Sequence, residues 1–147
     1  MFFVCLAGIY SSYAQQRIDA LEFVKNAPWD LTESEIDEKY KENSFELADS
    51  LKVSLAASSG GNLNFANKFL DEFCIGKYNG FTLYTINEET RKPDMFFTYI
   101  HPEQIANTDE TELLRYMDSL LYVRLGEPDH KQDDYSCLLY TSPSPRD

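Results

Sequence analysis

The sequence predicts an α+β domain, in which an antiparallel meander of about three to four strands packs against a C-terminal helix. Short runs rich in aromatic and β-branched residues follow one another between residues 65 and 100. A segment with a helical apolar stripe follows these runs, and a shorter capped helix precedes them. Strands grouped in this way are typical of α+β proteins rather than of a parallel α/β sheet.

The C-terminal helix is predicted over Asp109–Leu125. Asp109 or Thr108 can cap it, since either side chain can accept from the free backbone N–H groups of the first turn. Apolar residues recur at spacings of three and four along it: Leu113, Leu114, Met117, Leu120, Leu121 and Leu125. Gly126 can end the helix in a left-handed conformation, and Pro128 prevents its continuation. The stripe predicts that this helix covers one face of the sheet.

A shorter helix is predicted over Glu33–Glu42, before the sheet. Thr32 and Glu35 have the spacing of a capping box, in which each side chain bonds the backbone N–H of the other residue. Leu31 precedes the cap and can pack against Ile36, which would fix the direction in which the chain enters the helix.

Two segments allow more than one interpretation. Arg17–Lys25 fits either a short helix on the edge of the domain or a disordered segment. Phe45–Leu55 alternates apolar and polar residues, which fits a strand with one buried face. Its apolar residues also fit a continuation of the preceding helix, but a break near Asn43 favours the strand.

The sheet is predicted from three runs: Phe65–Tyr78, Phe81–Glu88 and Met95–Ile100. Asn79 and Gly80, between the first two runs, are the strongest short hairpin signal, because both central positions of a type I′ turn need positive φ. Thr90–Asp94 predicts a longer turn before the third run.

The first residues of the chain predict a secretory signal peptide over residues 1–14. Phe2–Ile9 is apolar, and Ser12–Ala14 places small residues at the positions that a signal peptidase reads. The apolar run is too short to span a bilayer, which needs roughly 20 such residues. We therefore expect an exported protein, periplasmic or extracellular, with no transmembrane segment.

The last eleven residues, Cys137–Asp147, read CLLYTSPSPRD. This run resembles the translation, in one frame, of a sequencing-library adapter rather than a native protein segment. A flexible Ser/Pro tail is the alternative that its composition allows. The resemblance implies a non-native tail over residues 137–147, so we expect a single α+β domain over residues 15–136 that is truncated at its C-terminus.

The acidity of the chain excludes some classes of partner. The formal net charge is −12, and no stripe of Lys and Arg interrupts the acidic residues. Such a chain repels phosphate backbones, so no nucleic-acid partner is predicted. Between the predicted signal peptide and the predicted tail, Cys74 is the only cysteine, which fits a bacterial envelope better than a small disulfide-stapled domain.

No motif in the sequence identifies a catalytic site. Cys74 has no His or Asn at a motif spacing, and we expect it to be buried and unreactive. The two histidines, His101 and His130, fit no metal-ligand spacing. No serine nucleophile elbow, phosphate-binding loop or dinucleotide fingerprint is present in the sequence. We therefore assign no catalytic residue, metal or cofactor, and favour a domain that is not an enzyme.

The aromatic residues give the one positive functional indication. Tyr84, Phe96 and Tyr99 lie on adjacent predicted strands, where alternation sends side chains to both faces. One face must pack on the helix, whereas the other can expose rings as a platform for a sugar or a peptide. We take these three as candidate binding residues, with ordinary core and cross-strand packing as the alternative.

Two short motifs resemble those of small exported proteins of Bacteroidota, most of which have no assigned function. They are the start of a short helix at Trp29–Thr32 and the end of a longer one at Leu125–Pro128. The resemblance implies an envelope location. We therefore expect a non-enzymatic envelope module that contacts a protein or a glycan. The alternative is an N-terminal fragment of a secreted hydrolase whose catalytic residues lie beyond the truncation. The sequence predicts no oligomeric state.

Overall fold

The structure, a computed structural model, describes residues 17–128, 130–132 and 137–139. In these residues the predicted α+β class is confirmed, with a shorter helix before the sheet and a longer one after it. In chain order the elements are β1 (Ile18–Asp19), α1 (Ala20–Lys25), α2 (Glu33–Lys39), β2 (Ser44–Glu46), α3 (Asp49–Ser58), β3 (Lys68–Ile75), β4 (Tyr78–Ile86), β5 (Pro93–Ile100), α4 (Pro102–Ile105), α5 (Glu110–Leu125), β6 (His130–Gln132) and β7 (Cys137–Leu139).

The main sheet is the predicted antiparallel meander of β3, β4 and β5, extended by two short strands. β2 pairs antiparallel with the first half of β3, and β1 pairs parallel with its second half. Among the described strands, β4 therefore lies inside the sheet and β5 lies on its outer edge. β6 and β7 form a separate two-stranded antiparallel sheet.

The first described segment is a short strand and a helix rather than a disordered segment. Asp19 caps α1, because its Oδ1 accepts from the backbone N–H groups of Leu21 and Glu22 at 2.9 and 3.0 Å. Phe23 is buried in the core, and its ring contacts that of Phe73 edge-on at 5.1 Å between centroids. The helix therefore anchors the N-terminal side of the domain to β3.

The predicted capping box at the start of α2 is confirmed. The backbone N–H of Thr32 donates to Oε2 of Glu35 at 2.7 Å, and the N–H of Glu35 donates to Oγ1 of Thr32 at 3.4 Å. α2 ends at Lys39, three residues before the predicted end. Ile36 is fully buried and anchors the helix in the core.

The predicted strand over Phe45–Leu55 is correct only at its start. β2 ends at Glu46, and the chain then forms α3. The alternation that favoured a strand does not mark a buried face here, because Leu51 and Val53 are 48% and 68% exposed. Because alternate apolar residues are exposed here, they do not stabilise a strand, and the Leu, Lys and Ala residues of this segment favour a helix.

The hairpin turn lies three residues before the position that the sequence predicts. Gly76 and Lys77 form the turn, whereas Asn79 and Gly80 belong to β4. Gly76 has a φ of +58° and so supplies the positive φ that the turn requires. Gly80 is needed within the strand instead, because a Cβ there would overlap the carbonyl oxygen of Tyr99.

The sheet separates two clusters of buried side chains. We call the side that carries the main core the helix-covered face, because residues of α1, α2 and α5 pack there. Its buried residues are Ala20, Phe23, Ile36, Ala66, Leu70, Phe73, Ile75, Tyr84 and Ile86. We call the other side the open face. Its smaller buried cluster is Leu47, Phe65 and Leu83, with Leu55 of α3 packed against it.

The C-terminal helix begins one residue later than predicted, at Glu110, and ends at Leu125 as predicted. Asp109 is the N-cap and accepts from the N–H of Glu112 at 3.1 Å, and Gly126 has a φ of +85°. Its apolar stripe is less buried than predicted: no residue of α5 is fully buried, although Met117 and Leu120 pack against the main core. In the described part of the chain, no helix combines the length and the apolar character needed to cross a membrane.

Residues 1–14, the predicted signal peptide, lie outside the described residues. Of the predicted non-native tail, only Cys137–Leu139 is described, as the strand β7 that pairs with β6. The boundaries of 15 and 136 for the single domain remain predictions.

Candidate functional site

Four aromatic side chains form a continuous row across the open face. Phe45 of β2, Phe69 of β3, Phe81 of β4 and Tyr99 of β5 each contact the next ring. The successive centroid distances are 6.0, 6.1 and 5.4 Å, and the rings of Phe81 and Tyr99 are stacked at 23°. We call these four residues the aromatic row.

Strand register places these rings side by side. Phe45 lies directly opposite Phe69, and Phe81 lies directly opposite Tyr99. Because side chains alternate along a strand, the neighbouring residues point to the helix-covered face. Thr82, next to Phe81, is fully buried there, and its hydroxyl lies 2.8 Å from that of Thr98. The alternation therefore leaves the four rings on the face that α1, α2 and α5 do not cover.

The two ends of the row are open to solvent. Phe45 is 40% exposed and Tyr99 is 41% exposed, whereas Phe69 and Phe81 are half-buried. The two central rings also pack against the smaller buried cluster of the open face. The row is thus held on one side by packed side chains and presents ring surface on the other. Such a patch is typical of a binding surface.

A hydrogen-bonded pair of polar residues borders the row. Nε2 of His101 lies 3.1 Å from Oδ1 of Asp71, and the His101 ring lies 5.2 Å from that of Phe81. Both polar side chains are between one quarter and one third exposed. They place hydrogen-bonding groups beside the rings. Ligand sites commonly combine an apolar surface with a few polar groups that orient the ligand.

An irregularity in β3 positions Asp71. The register shifts between Leu70 and Phe73, and Glu72 has a φ of +61°. Positive φ is uncommon for a residue with a side chain and is held here by a local bond, since Oδ1 of Asp71 accepts from the N–H of Glu72 at 2.8 Å. Bulges of this kind redirect side chains beside functional surfaces.

The structure does not bring the three predicted binding residues together. Tyr84 is 1% exposed in the main core, and burial raises the pKa of its hydroxyl well above the usual value. Phe96 is half-buried on the same face, with its ring 4.8 Å from that of Trp29. Tyr99 lies three residues farther along β5 and so points to the open face. Of the three, Tyr99 alone belongs to the aromatic row.

The sequence indicated the other three members of the row only weakly. Phe81 and Phe69 stand in predicted strands, but nothing local shows which strand face the helices cover. Phe45 depends on the pairing of β2 with β3, more than 20 residues away in the chain. The period-two pattern around Phe45 is the one available signal. It predicts a strand but does not show which other strand pairs with it.

The described residues do not assemble a metal-binding group on this surface. No cluster of three or more His, Cys, Asp and Glu side chains able to hold a metal occurs within them. His101 and Asp71 bond each other, and within the same residues neither bonds a hydroxyl or a thiol. Cys74 is half-buried rather than buried as expected. What the surface offers is ring area with a polar border.

Comparisons of the chain with protein-family models, with curated proteins and with solved structures find no match. Any functional assignment therefore depends on the geometry and the charge of the chain's own residues.

Proposed function

We propose that this chain is an exported, non-enzymatic binding module of a bacterial envelope, which holds a protein or glycan partner on the aromatic row. The observation that carries this proposal is the unbroken contact of four rings across four strands, with Phe45 and Tyr99 each about two-fifths exposed. The predicted signal peptide supports the envelope location.

The energetics of the row favour binding. Apolar surface removed from water contributes roughly 25 cal/mol per Å², and a well-placed aromatic contact adds about 0.5–1.5 kcal/mol. Because Phe69 and Phe81 are already packed in the row, a partner meets rings whose conformational freedom is largely lost in the free protein. A preordered surface of this kind loses little entropy when it binds.

The net negative charge of the chain limits the classes of partner that can bind. The chain carries a formal charge of −12, so a polyanion would be repelled, whereas a neutral or basic partner would not. A sugar ring offers an apolar face to the rings and hydroxyls to Asp71 and His101. An amphipathic peptide offers the same combination. Both classes therefore fit the surface.

The test compares alanine variants at the two ends of the row with matched variants elsewhere. Phe45→Ala and Tyr99→Ala remove the exposed rings, and Val53→Ala and Tyr122→Ala are controls at positions 68% and 54% exposed. The full chain and its variants are tested against immobilised neutral polysaccharides and a peptide array. Each row variant should weaken binding about tenfold, equivalent to about 1.4 kcal/mol, and the controls should not.

Equal binding by all four variants and the parent would contradict the proposal. Release of a shortened product from a bound polysaccharide or peptide would favour the secreted-hydrolase hypothesis instead. Circular dichroism of each variant shows whether it keeps its fold, so lost binding can be separated from lost structure.

A further inference from the structure

We infer that the outer edge of β5 takes up an extended peptide as an additional antiparallel or parallel strand. This inference rests on the proposed function and names the partner of the surface to which Tyr99 belongs. Three features of the structure meet at this edge: unpaired backbone groups, apolar side chains on the open face and an apolar groove on the helix-covered face.

The backbone of β5 is paired on one side only. Within the described residues, β4 is its neighbour on one side and no strand follows on the other. The N–H of His101 donates to the carbonyl of Asn79 in β4 at 2.9 Å. Because the backbone groups of successive residues point alternately toward and away from β4, this bond shows which residues of β5 face β4. The backbone groups that point away from β4 are therefore those of Phe96, Thr98 and Ile100.

The edge lacks most of the features that prevent strand pairing. Between Pro93 and Ile100 the only charged residue is Asp94, and the only proline stands at the first position of the strand. β5 pairs with β4 in continuous register from Ile100 to Met95. A long, regular and apolar edge strand is a template for another strand.

On the open face, the side chains beside this edge are exposed and apolar. Met95 is 39% exposed and Tyr99 is 41% exposed, and Phe97 lies half-buried between them. A strand added to β5 would place every second side chain next to these residues, at the cross-strand distances over which apolar pairs stabilise a sheet. The added strand would thus lengthen the apolar surface that ends at Tyr99.

On the helix-covered face, β5 borders a groove of about 420 Å³ between α1, α4 and α5. Thr98 and Ile100 of β5 line it, together with Val24, Ile105 and Leu121. Val24 is 42% exposed, so the groove is open to solvent. The remaining side chains of an added strand would point to this side of the sheet, toward an apolar surface of matching character.

The net charge of the chain favours some partners over others as the strand added to β5. A second copy of this protein carries the same formal charge of −12, and pairing two such edges would bring like charges together. A neutral or basic peptide carries no such penalty. The partner is therefore an extended, neutral or basic segment with apolar residues at alternate positions. In this mode of recognition, backbone hydrogen bonds supply affinity and alternate side chains supply specificity.

The first experiment uses the full chain and a synthetic pool of ten-residue peptides. Alternate positions are drawn from valine, isoleucine, phenylalanine and tyrosine, and the others from lysine, serine and threonine. The tightest peptide is then made in two forms, each N-methylated at every second amide on one edge. One form should bind about tenfold or more weakly than the parent, and the other should bind like the parent.

The pattern of the two methylated forms decides the outcome, because their side chains are the same. Equal binding by both forms, equal loss by both, or failure to enrich any peptide would overturn the inference. The second measurement is amide hydrogen exchange of the protein with the unmethylated peptide. The amides of Phe96, Thr98 and Ile100 should gain protection, whereas those of Phe97 and Tyr99, already paired with β4, should not change.

Two further arms separate this inference from its alternatives. Protection of the same three amides that rises with protein concentration, without peptide, would show that a second copy occupies the edge and would overturn the inference. Phe45→Ala lies at the far end of the row from β5. If that variant loses binding to a polysaccharide while no peptide binds, the proposed function holds and strand addition at β5 fails.

Discussion

The hydroxyl of Tyr116 in α5 accepts a hydrogen bond from the backbone N–H of Lys77 at 2.8 Å, which joins the C-terminal helix to the turn between β3 and β4. The same ring meets that of Tyr78 edge-on at 5.5 Å. The ammonium of Lys77 lies 4.7 Å from the centre of the Tyr116 ring. This contact adds to the packing of Met117 and Leu120 of α5 against the main core.

Gly76, the residue before Lys77, should not tolerate a side chain. Its φ is +58°, and an added Cβ would overlap the Tyr116 hydroxyl and lie 2.9 Å from the Leu120 side chain. Gly76→Ala should therefore lower the free energy of unfolding by about 1–2 kcal/mol for the backbone conformation, and further for the displaced helix. Urea denaturation of the parent and the variant measures the loss.

The control for this prediction is Gly61→Ala. Gly61 has a φ of +76° but no atom within 4 Å of an added Cβ, so its variant carries the backbone strain alone. The loss at Gly76 should clearly exceed that at Gly61. If the two variants lose the same stability, Tyr116 and Leu120 must move aside at no cost, and the attachment of α5 is weaker than the geometry indicates.

Asp19 and Arg124 should make stability sensitive to acid. Partial burial opposes ionisation of Asp19, but the N–H of Glu22, at 3.0 Å, and the guanidinium of Arg124, at 3.1 and 3.2 Å, together hold the pKa of its carboxyl below the usual value. A carboxyl whose folded pKa is lowered stabilises the fold above its unfolded pKa of about 3.9, and this contribution is lost as the pH falls through the folded pKa.

Variants of Asp19 separate its charge from its role as a helix cap. Asp19→Asn keeps an oxygen that can accept from the first turn of α1, but it removes the charge that faces Arg124. Its free energy of unfolding should fall at pH 7 and should vary less with pH below 4 than that of the parent. Asp19→Ala loses the cap as well, for a further loss of about 0.5–2 kcal/mol. Identical acid profiles for Asp19→Asn and the parent would count against the ion pair.

The Tyr84→Phe variant should have a higher free energy of unfolding than the parent protein. Its hydroxyl is buried and, within the described residues, has no hydrogen-bond partner, so Tyr84→Phe removes an unsatisfied polar group from the core. The expected gain in the free energy of unfolding is about 1–3 kcal/mol. Thermal and urea unfolding at pH 7 measure it, and a clear loss of stability would indicate that a partner, such as a buried water, satisfies the hydroxyl.

The same variant predicts a change in alkaline behaviour. Burial raises the pKa of Tyr84, so the folded protein keeps a proton that the unfolded chain releases above a pKa of about 10. Above a pH of about 10, ionisation of Tyr84 therefore stabilises the unfolded chain but not the folded protein, so the free energy of unfolding falls as the pH rises above that value. Tyr84→Phe should show a smaller loss of stability above pH 10 than the parent.

The sequence alone does not show which face of the sheet the helices cover. Tyr84 and Tyr99 both stand in correctly predicted strands, yet one is 1% and the other 41% exposed. Their faces follow from strand alternation, but the choice of the face to be covered depends on where α1, α2 and α5 pack. Phe45 joins the row through pairing between β2 and β3, which no pattern within β2 encodes.

The elements that could be predicted from the sequence are those whose signals lie within a few residues of one another. The capping box of Thr32 and Glu35, the cap at Asp109 and the end of α5 at Gly126 depend on hydrogen bonds and backbone angles that neighbouring residues set. The antiparallel order of β3, β4 and β5 follows for a similar reason, since short connections leave successive strands side by side.

Other features depend on contacts between residues far apart in the chain and could not be predicted from local patterns. Either Gly76 or Gly80 could form the hairpin turn if only the neighbouring residues mattered. The turn lies at Gly76 because Gly80 must lie against the backbone of β5. α3 is a helix in which no residue is fully buried, so the alternation of its apolar residues does not mark the buried face of a strand. The aromatic row exists because three helices pack on one face of the sheet and leave part of the other to solvent, and side-chain burial of this kind is a property of the assembled sheet rather than of any one strand.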